Sequence, residues 1–427
     1  MRESAARVAF PEVAASDVPS VRRSPVDGET RIAAAAIVDD VRERGEAAVR
    51  EHAERLGDVE QGASLYAERW EMEEALGAID GETRRVLERA AGRIRAFAEA
   101  QRASVGEFRV AVPGGHAAQV VAPVERAGCY APGGRFPLPS SVLMGAVTAR
   151  AAGCQRVVVA SPRPAPVTLA AAALAGADLV LRVGGAQAIA AMAYGCGPIE
   201  SCDAIVGPGN RWVTAAKQLV SGAVRIDMLA GPSELVVLAD DSADAGVVAS
   251  DLLAQAEHDA DASAVLVTTS RELLDAVRVE ITEQLATLPT RETAMAAMGN
   301  SFGVVACDLG EAIDVCDRLA PEHLEVITRD ASDVAGRLRH YGGLFVGGST
   351  AEVLGDYGAG PNHTLPTGGT ARSFGGLSVF DFLRVRTVLE IGVGEEGEAL
   401  ARDSALLARA EGLEGHARSA ERRLGGC

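Results

Sequence analysis

The stretch "SSVLMGAVTARAAGCQRVVVASP", Ser140 to Pro162, joins an alanine-rich segment with helical spacing to a short run of β-branched residues. The same rhythm of helix and strand continues in the runs "DLVLRVGG", "DAIVGPGN" and "ELVVLAD". Strands that alternate with helices at this spacing are typical of parallel α/β units. The sequence therefore predicts an α/β fold from Ala127 onward.

A second series of strands follows the predicted helix "DAGVVASDLLAQAEHD", and its runs are "SAVLVTTS", "GVVACD", "HLEVIT" and "GLFVGG". We interpret the two series as two α/β halves, although no repeat is visible in the sequence.

Residues 29–104 have helical spacing, and "FRVAVPGGHAAQVVAPV" predicts two strands around a Pro-Gly-Gly turn. After Phe380 the chain becomes strongly charged, and we predict a helical C-terminal tail there.

The composition argues against several partners and compartments. A net charge of -18 and a pI near 4.9 repel phosphate, so nucleic acid and anionic membranes are poor partners. The longest uncharged run, Val183 to Ile199, has 17 residues and four glycines, which is too short and too broken for a membrane span. The first residues lack the apolar core of a signal peptide, and the seven cysteines show no metal or disulfide spacing. We therefore expect a cytoplasmic protein with reduced thiols.

Two segments carry donors that suit a divalent metal ion. In "LLAQAEHD", Gln255 and His258 lie three residues apart on a predicted helix, so both can face one point. In "LGDYGAGPNHTLPTGG", Asp356 precedes His363 by seven residues in a glycine-rich loop. Imidazole and carboxylate donors favour Zn²⁺ or a similar ion. Helix-surface and loop-capping roles fit the same spacing, so spacing alone leaves the metal site open.

The segment "RLAPEHLEVIT" places an acid, Glu322, directly beside a base, His323, where an apolar run begins. Adjacent residues on a strand point to opposite faces, so the pair can share one site only if the chain there is still a loop. The local sequence also fits a salt bridge at the end of a strand. Proton transfer and a structural ion pair therefore both remain open for these two residues.

The tetrapeptide "GPGN", Gly207 to Asn210, lies between a predicted strand and a predicted helix. Backbone N–H groups at such a junction can bind a phosphate. This tetrapeptide is not the dinucleotide fingerprint G-x-G-x-x-G, so its spacing alone does not predict NAD. The turns "YAPGG" and "AGPSE" likewise carry no function by spacing alone.

Eight segments between Gly128 and Ser419 resemble, in order, the histidinol dehydrogenase family, the zinc- and NAD-dependent enzymes of histidine biosynthesis. They are "CYAPGGRFPLPSSVLM", "GGAQAIAAMAYG", "GPGNRWVTAAKQLV", "IDMLAGPSELVVLAD", "DLLAQAEHD", "APEHLEVIT", "GDYGAGPNHTLPTGGTAR" and "EGLEGHARS". The N-terminal hundred residues contribute little to the resemblance. Eight motifs in one order are highly specific.

The resemblance implies two incomplete Rossmann-like parallel-sheet domains, a helical N-terminal segment and a helical C-terminal tail. We divide the chain into four parts. These are a helical segment that joins the first α/β domain (1–128), an inserted Rossmann-like domain on the cofactor side (129–234), the first α/β domain with the zinc and catalytic residues (235–378), and a helical tail that crosses to a partner subunit (379–427).

The resemblance also implies a role for each matching residue. The implied zinc ligands are Gln255, His258, Asp356 and His416. The implied substrate-binding residues are these four together with Ser233, Glu322, His323, His363 and Glu411. The implied cofactor-binding residues are Tyr130, Gln187 and Asn210. Because the family forms homodimers with crossing tails, Glu411 and His416 would complete the site of the partner subunit.

The implied reaction oxidises L-histidinol through L-histidinal to L-histidine with two NAD⁺. The imidazole and amine of the substrate would complete the zinc shell, so the metal would anchor the substrate rather than activate water. We expect His323, with a pKa near neutrality, to be the base in both oxidations. Glu322 would activate the water that hydrates the aldehyde.

Two other functions compete with this one. A relative on the same scaffold, such as a sulfopropanediol dehydrogenase, would oxidise a different small alcohol. The presence of "AGPSE", Glu411 and His416 favours histidinol. A zinc hydrolase would instead use Glu322 as the base for a metal-bound water. An amide among four protein ligands leaves less room for a catalytic water than the three-ligand sites of such enzymes.

Overall fold

The computed structural model describes residues 10–18, 25–133 and 137–425, and it confirms the α/β class. Gly134 of the "YAPGG" turn and Cys427 lie outside the described residues. Within these ranges, none of the helices has the length and apolar character that crossing a membrane requires.

The described strands and helices are as follows. The strands are β1 (Tyr66–Ala67), β2 (Phe108–Val112), β3 (Gly115–Pro123), β4 (Arg126–Tyr130), β5 (Arg156–Ala160), β6 (Leu179–Leu181), β7 (Ala204–Val206), β8 (Arg225–Ile226), β9 (Glu234–Ala239), β10 (Ser263–Thr268), β11 (Phe302–Val305), β12 (His323–Ile327), β13 (Gly343–Val346) and β14 (Leu383–Ile391). The helices are α1 (Gly28–Arg44), α2 (Glu46–Leu56), α3 (Arg69–Ala78), α4 (Gly81–Ser104), α5 (Pro139–Ala152), α6 (Pro166–Ala175), α7 (Gly185–Tyr194), α8 (Arg211–Val220), α9 (Ala245–Ala256), α10 (Arg271–Leu285), α11 (Arg291–Met298), α12 (Leu309–Leu319), α13 (Ala331–Ala335), α14 (Glu352–Asp356), α15 (Glu395–Ala410) and α16 (Glu414–Glu421). Short 3₁₀ turns lie at Ala15–Asp17, Thr370–Arg372 and Val379–Phe382.

The first sheet has the strand order β1-β6-β5-β4-β7-β8 and is parallel except for the short β1. From β4 the chain first builds β5 and β6 on one side and then β7 and β8 on the other. The connections therefore change direction between β4 and β7. Loops diverge at such a switch point and leave a crevice outside the carboxyl ends of the strands, where ligands of open α/β sheets bind.

Helices cover both faces of the first sheet. One buried cluster joins α4, α5 and α6 to the sheet, and the other joins α1, α2, α7 and α8 to it. We predicted that residues 1–128 join the 235–378 domain. Residues 10–18 do pack on the second sheet, whereas the helices between residues 28 and 104 pack on the first sheet, against α5 to α8. Helical periodicity shows that a helix has an apolar face, but it does not show which sheet that face covers.

The second sheet is wholly parallel, with the order β11-β10-β9-β12-β13. The run "ELVVLAD", which we grouped with the first series, is β9 at the centre of this sheet. Leu235 and Val237 pack toward α9 and α10, whereas Val236 and Leu238 pack toward α12. Burial on both faces explains the nearly continuous apolar sequence of the strand. Such a run fits the centre of either sheet equally well, so the rhythm alone grouped it with the first series. The border after residue 234, which the resemblance implies, places it in the second unit, where β9 lies.

A third, antiparallel sheet has the order β14-β3-β2 and contains the two strands predicted around the Pro-Gly-Gly turn. The prediction that residues 379–427 are helical is wrong for Leu383–Ile391, which pairs along its whole length with β3. The alternation of apolar and polar residues in "LRVRTVLEI" is the signal of a strand. The arginines gave this segment the charged character that we attributed to a helix.

The end of the chain is a hairpin of two helices, α15 and α16. These helices pack on each other around Ala405, Ala408 and Ala417. Leu406 and Leu407 of α15 are exposed, with 68% and 64% of their surface accessible. The tail therefore presents apolar surface on a helix pair whose own core consists of alanine.

Candidate active site

The acid–base pair lies at the amino end of β12. Glu322 directly precedes the strand, which begins at His323, so the two side chains do not have to point to opposite faces of the sheet. The Glu322 Oε2 atom lies 3.6 Å from His323 Nδ1, and both side chains are buried. The backbone N–H of Glu234, at the start of β9, donates to Glu322 Oε2 at 2.9 Å. Glu322 and His323 therefore face one site.

Burial changes the pKa values of both Glu322 and His323. Removal from water raises the pKa of the Glu322 carboxyl well above its usual range. Burial also lowers the pKa of His323 to about 4, so the expectation of a value near neutrality is wrong. The imidazole is therefore uncharged at neutral pH, and one ring nitrogen carries a lone pair that can accept a proton.

Three of the four predicted metal ligands are in one region. The His258 Nε2 atom lies 3.7 Å from one Asp356 oxygen, and the other Asp356 oxygen lies 3.7 Å from His323 Nε2. Gln255 is 1% exposed, and neither atom of its amide has a hydrogen-bond partner among the described residues. Such a buried amide costs about 1–3 kcal/mol unless a ligand satisfies it. His258 lies beyond the end of α9, rather than on the helix as predicted.

A carboxylate that we did not predict, Glu352, is adjacent to His323. It is the first residue of α14 and is 3% exposed, and its Oε1 atom lies 3.3 Å from His323 Nδ1. One ligand atom each of His323, Glu352 and Asp356 all lie within 4.8 Å of one another. Glu352 precedes Asp356 by four residues, so helical spacing offered a signal for it.

A second buried carboxylate extends this group. Glu325, which is 1% exposed, lies two residues after His323 on β12 and accepts a hydrogen bond from the Glu352 backbone N–H at 2.6 Å. Burial, together with the nearby charge of Asp251 on α9, raises the pKa of Glu325 to about 8. A charged residue within the apolar run "HLEVIT" was the sequence signal, because buried glutamates are rare.

Two further predicted residues connect this region to its surroundings. The Ser233 hydroxyl hydrogen-bonds to the Glu322 carboxyl. The His363 Nδ1 atom lies 3.0 Å from the Asp356 carbonyl oxygen, and its Nε2 atom lies 3.4 Å from the Ser141 hydroxyl on α5. His363 thus contacts both the last residue of α14 and a helix of the first sheet. The site lies between the two parallel sheets.

The predicted tail residues are not part of this group in the single chain. Glu411 directly follows α15, His416 lies on α16, and both are exposed. Among the described residues, no hydrogen bond or ion pair joins their side chains to the other predicted site residues.

The predicted cofactor residues lie at the carboxyl edge of the first sheet. Tyr130 ends β4, and its hydroxyl accepts a hydrogen bond from the Gly185 N–H at 3.2 Å. Gln187 lies in the first turn of α7, which follows β6, and its amide donates to Asp58 at 3.2 Å. Asn210 follows β7 and caps α8 by accepting from two backbone N–H groups. All three therefore lie on the edge where β4 and β7 diverge.

Comparison with known proteins agrees with this architecture. The family model described as histidinol dehydrogenase matches residues 21–424. A histidinol dehydrogenase of Thermus thermophilus is 49% identical over 82% of this chain and 84% of its own length, and one of Geobacillus kaustophilus is 45% identical over 95% and 97%. The crystal structure of histidinol dehydrogenase from Elizabethkingia anophelis superimposes with a TM-score of 0.90 at 30% identity, covering 97% of this chain and 98% of that one.

Two parallel sheets with an acid–base pair between them, together with these similarities, define an NAD-dependent oxidoreductase of the α/β class. The chain belongs to the histidinol dehydrogenase family.

The raised pKa of Glu325 predicts a pH-dependent stability. Between the ordinary carboxyl pKa and about 8, the folded chain keeps a proton on Glu325 that the unfolded chain has lost. The free energy of unfolding should therefore fall as the pH rises from 5 to 8, by about 1.4 kcal/mol for each unit of pKa difference. Urea denaturation at several pH values should show a shallower fall for Glu325→Gln.

The matched control is Glu60→Gln at an exposed position, which should leave the pH dependence unchanged. Equal slopes for Glu325→Gln and the unmodified protein would show that Glu325 titrates alike in the folded and unfolded chains.

Proposed function

We propose that the chain oxidises L-histidinol through L-histidinal to L-histidine, transferring two hydrides to two successive NAD⁺ molecules with one Zn²⁺ ion per site. The observation that carries this proposal is the buried pair Glu322 and His323, beside Asp356 and between the two sheets, in a chain of this family.

The geometry favours His323 Nε2 as the base. The Nδ1 atom donates its proton to the Glu234 carbonyl oxygen at 3.3 Å, and Glu352 Oε1 lies 3.3 Å from the same atom. Nε2 faces Asp356 and has no hydrogen-bond partner among the described residues. In the first oxidation, Nε2 accepts the hydroxyl proton as the carbinol carbon loses a hydride to the nicotinamide.

The second oxidation needs water, because an aldehyde carries no hydroxyl proton to remove. Glu322 removes a proton from water as the oxygen bonds to the aldehyde carbon, while protonated His323 gives its proton to the carbonyl oxygen. This gives the hydrated aldehyde and leaves His323 uncharged again. His323 then accepts a hydroxyl proton from the hydrate as the second hydride leaves, and the carboxylic acid forms. Burial raises the pKa of Glu322, which makes it a better base than an ordinary carboxylate once it is ionised.

Buried cysteine thiols make a covalent route to the acid less suitable than hydration. Cys129 and Cys154 are 2% and 3% exposed, and burial raises the pKa of the Cys154 thiol to about 12. Burial also raises the pKa of the Cys129 thiol. A thiol attacks an aldehyde as the thiolate, so neither of these two cysteine thiols is activated as a nucleophile.

Gln255, His258 and Asp356 fit a zinc ion. Their donors are nitrogen and oxygen, His258 and Asp356 already face each other, and the unpartnered Gln255 amide gains a partner when it binds metal. Zinc would anchor the imidazole and amine of the substrate. We prefer this set to His323, Glu352 and Asp356 because His323 needs its free lone pair as the base.

We also propose a homodimer in which His416 of the partner subunit is the fourth ligand and Glu411 of the partner subunit binds the substrate. The hairpin of α15 and α16 supports this proposal, because it packs on itself and exposes Leu406 and Leu407. We also propose that the protein is cytoplasmic. The six cysteines among the described residues are free thiols, as is usual in a reducing compartment.

The function is tested by counting NADH per L-histidinol consumed, with zinc-loaded protein and excess NAD⁺. Because two hydrides leave each substrate molecule, we expect about two NADH and one histidine. Absence of NADH from L-histidinol, but NADH from another small alcohol such as dihydroxypropanesulfonate, would overturn the substrate and keep the dehydrogenase chemistry. Histidine release from an ester without NAD⁺ would indicate a hydrolase.

The division of roles between the two catalytic residues is tested with each half-reaction separately. His323→Asn should slow both oxidations by roughly 10²–10⁴-fold, because both need the same base. Glu322→Gln should slow the oxidation of L-histidinal by roughly 10²-fold or more, but that of L-histidinol much less, because only the aldehyde must be hydrated. Equal losses in the two half-reactions for Glu322→Gln would contradict these roles.

Zinc binding and tail exchange are tested together with two variants, Gln255→Leu and His416→Ala. Each homodimer should lose zinc, whereas Gln218→Leu at an exposed helix position should keep it. A hybrid dimer, purified through two different tags, should bind about one zinc per dimer, because one of its sites combines an intact Gln255 with an intact partner tail. A hybrid without zinc would show that both ligands come from the same chain.

A further inference from the structure

Lys217 is the only lysine among the 427 residues, whereas every other ammonium or guanidinium side chain is an arginine. It lies on α8, and its side chain is 3% exposed. An arginine carries a wide, flat guanidinium on a similar stem, whereas lysine ends in a compact point charge. The one lysine of an arginine-rich chain therefore occupies a position where the space favours a compact cation.

The Lys217 ammonium forms a buried ion pair with Asp227, whose side chain is 0% exposed. Both partners also bind one backbone residue, Gly207. The Lys217 Nζ atom donates to the Gly207 carbonyl oxygen at 2.9 Å, and the Gly207 N–H donates to Asp227 Oδ2 at 2.8 Å. The pair therefore binds both polar backbone groups of this glycine.

Gly207 is the first residue of the loop "GPGN" and packs directly against the end of β4. It has a φ of +115°, and a Cβ atom there would lie 2.0 Å from the carbonyl oxygen of Tyr130. Only glycine fits at this close approach. At the other end of the loop, Asn210 caps α8. The ion pair fixes one end of the loop, and the cap fixes the other.

We propose that the pair of Lys217 and Asp227 positions the "GPGN" loop for binding NAD⁺ in the crevice between β4 and β7. This inference rests on the proposed function, because it takes the crevice to be the NAD⁺ site. Neither side chain touches the cofactor, and both act through Gly207. The N–H groups of Gly209 and Asn210 then face the pyrophosphate of the dinucleotide, because the Gly207 N–H donates to Asp227 and Pro208 has no N–H group.

The charges of the pair are better explained by positioning than by stability. Removal of two charges from water costs about as much free energy as their attraction returns, and apolar residues of similar size often stabilise a fold as well. An ion pair, however, holds the donors and acceptors of Gly207 in one geometry. Loss of the pair should therefore affect binding of NAD⁺ more than folding.

The test is the double variant Lys217→Met with Asp227→Asn, which removes both charges and nearly preserves the volume. The KM for NAD⁺ should rise roughly tenfold or more, while the KM for L-histidinol stays within about threefold of the original value. Lys217→Arg should also raise the KM for NAD⁺, because it keeps the positive charge but replaces the compact ammonium with a wide guanidinium. The thermal midpoint shows whether each variant is folded.

The matched control is another ion pair of the same sheet, Arg150 and Asp178, whose partners lie 2.7 Å apart. Arg150 donates to the Gly176 carbonyl oxygen and Asp178 accepts from the Val157 N–H, so this pair holds the opposite, amino edge of the sheet. Arg150→Met with Asp178→Asn should lower the thermal midpoint without raising the KM for NAD⁺.

A folded double variant with an unchanged KM for NAD⁺ would overturn this inference, and so would an equal rise in the KM for both substrates. Should the double variant fail to fold, Lys217→Arg, which keeps both charges of the pair, undergoes the same measurement with the same criteria. Failure of the proposed function is distinct, because the unmodified protein would then make no NADH from L-histidinol.

Discussion

The burial of ionisable side chains around His323 is the constraint on which the rest of the site depends. Glu322, Glu325 and Glu352 are all less than 10% exposed and lie near this imidazole. Buried carboxylates are costly unless donors or cations satisfy them, so rigid neighbours must hold them in place. Strands β9 and β12 supply this rigidity, because both lie inside a parallel sheet whose two faces are covered by helices.

The two parallel sheets contribute opposite edges to the region between them. The first sheet presents its carboxyl edge, where Tyr130 and the loop after β7 lie at the switch point. The second sheet presents its amino edge, where Ser233 and Glu322 precede their strands. His363 contacts Ser141 on a helix of the first sheet. In the proposed reaction, one edge holds the hydride acceptor and the other holds the base.

Periodicity and composition predicted much of the fold, and the errors have physical causes. The alternation of strands and helices predicted the α/β class. A helix with one face exposed to solvent repeats its apolar residues at a regular spacing, and this spacing is visible in the sequence. The rhythm of strands and helices alone grouped "ELVVLAD" with the wrong series, because a strand buried on both faces carries no sign of its neighbours. Leu383–Ile391 was predicted as helix, because its arginines obscured an alternation with period two.

The sequence by itself determined the α/β class, the adjacency of Glu322 and His323, and the residues that the family resemblance assigns to the site. The tertiary structure alone decided that Glu352 lies beside His323, that the pKa of His323 falls to about 4, and that the single lysine binds Gly207. Spacing along the chain encodes which face a side chain occupies. Desolvation and contacts between distant segments depend on how those faces pack, and no local pattern records that.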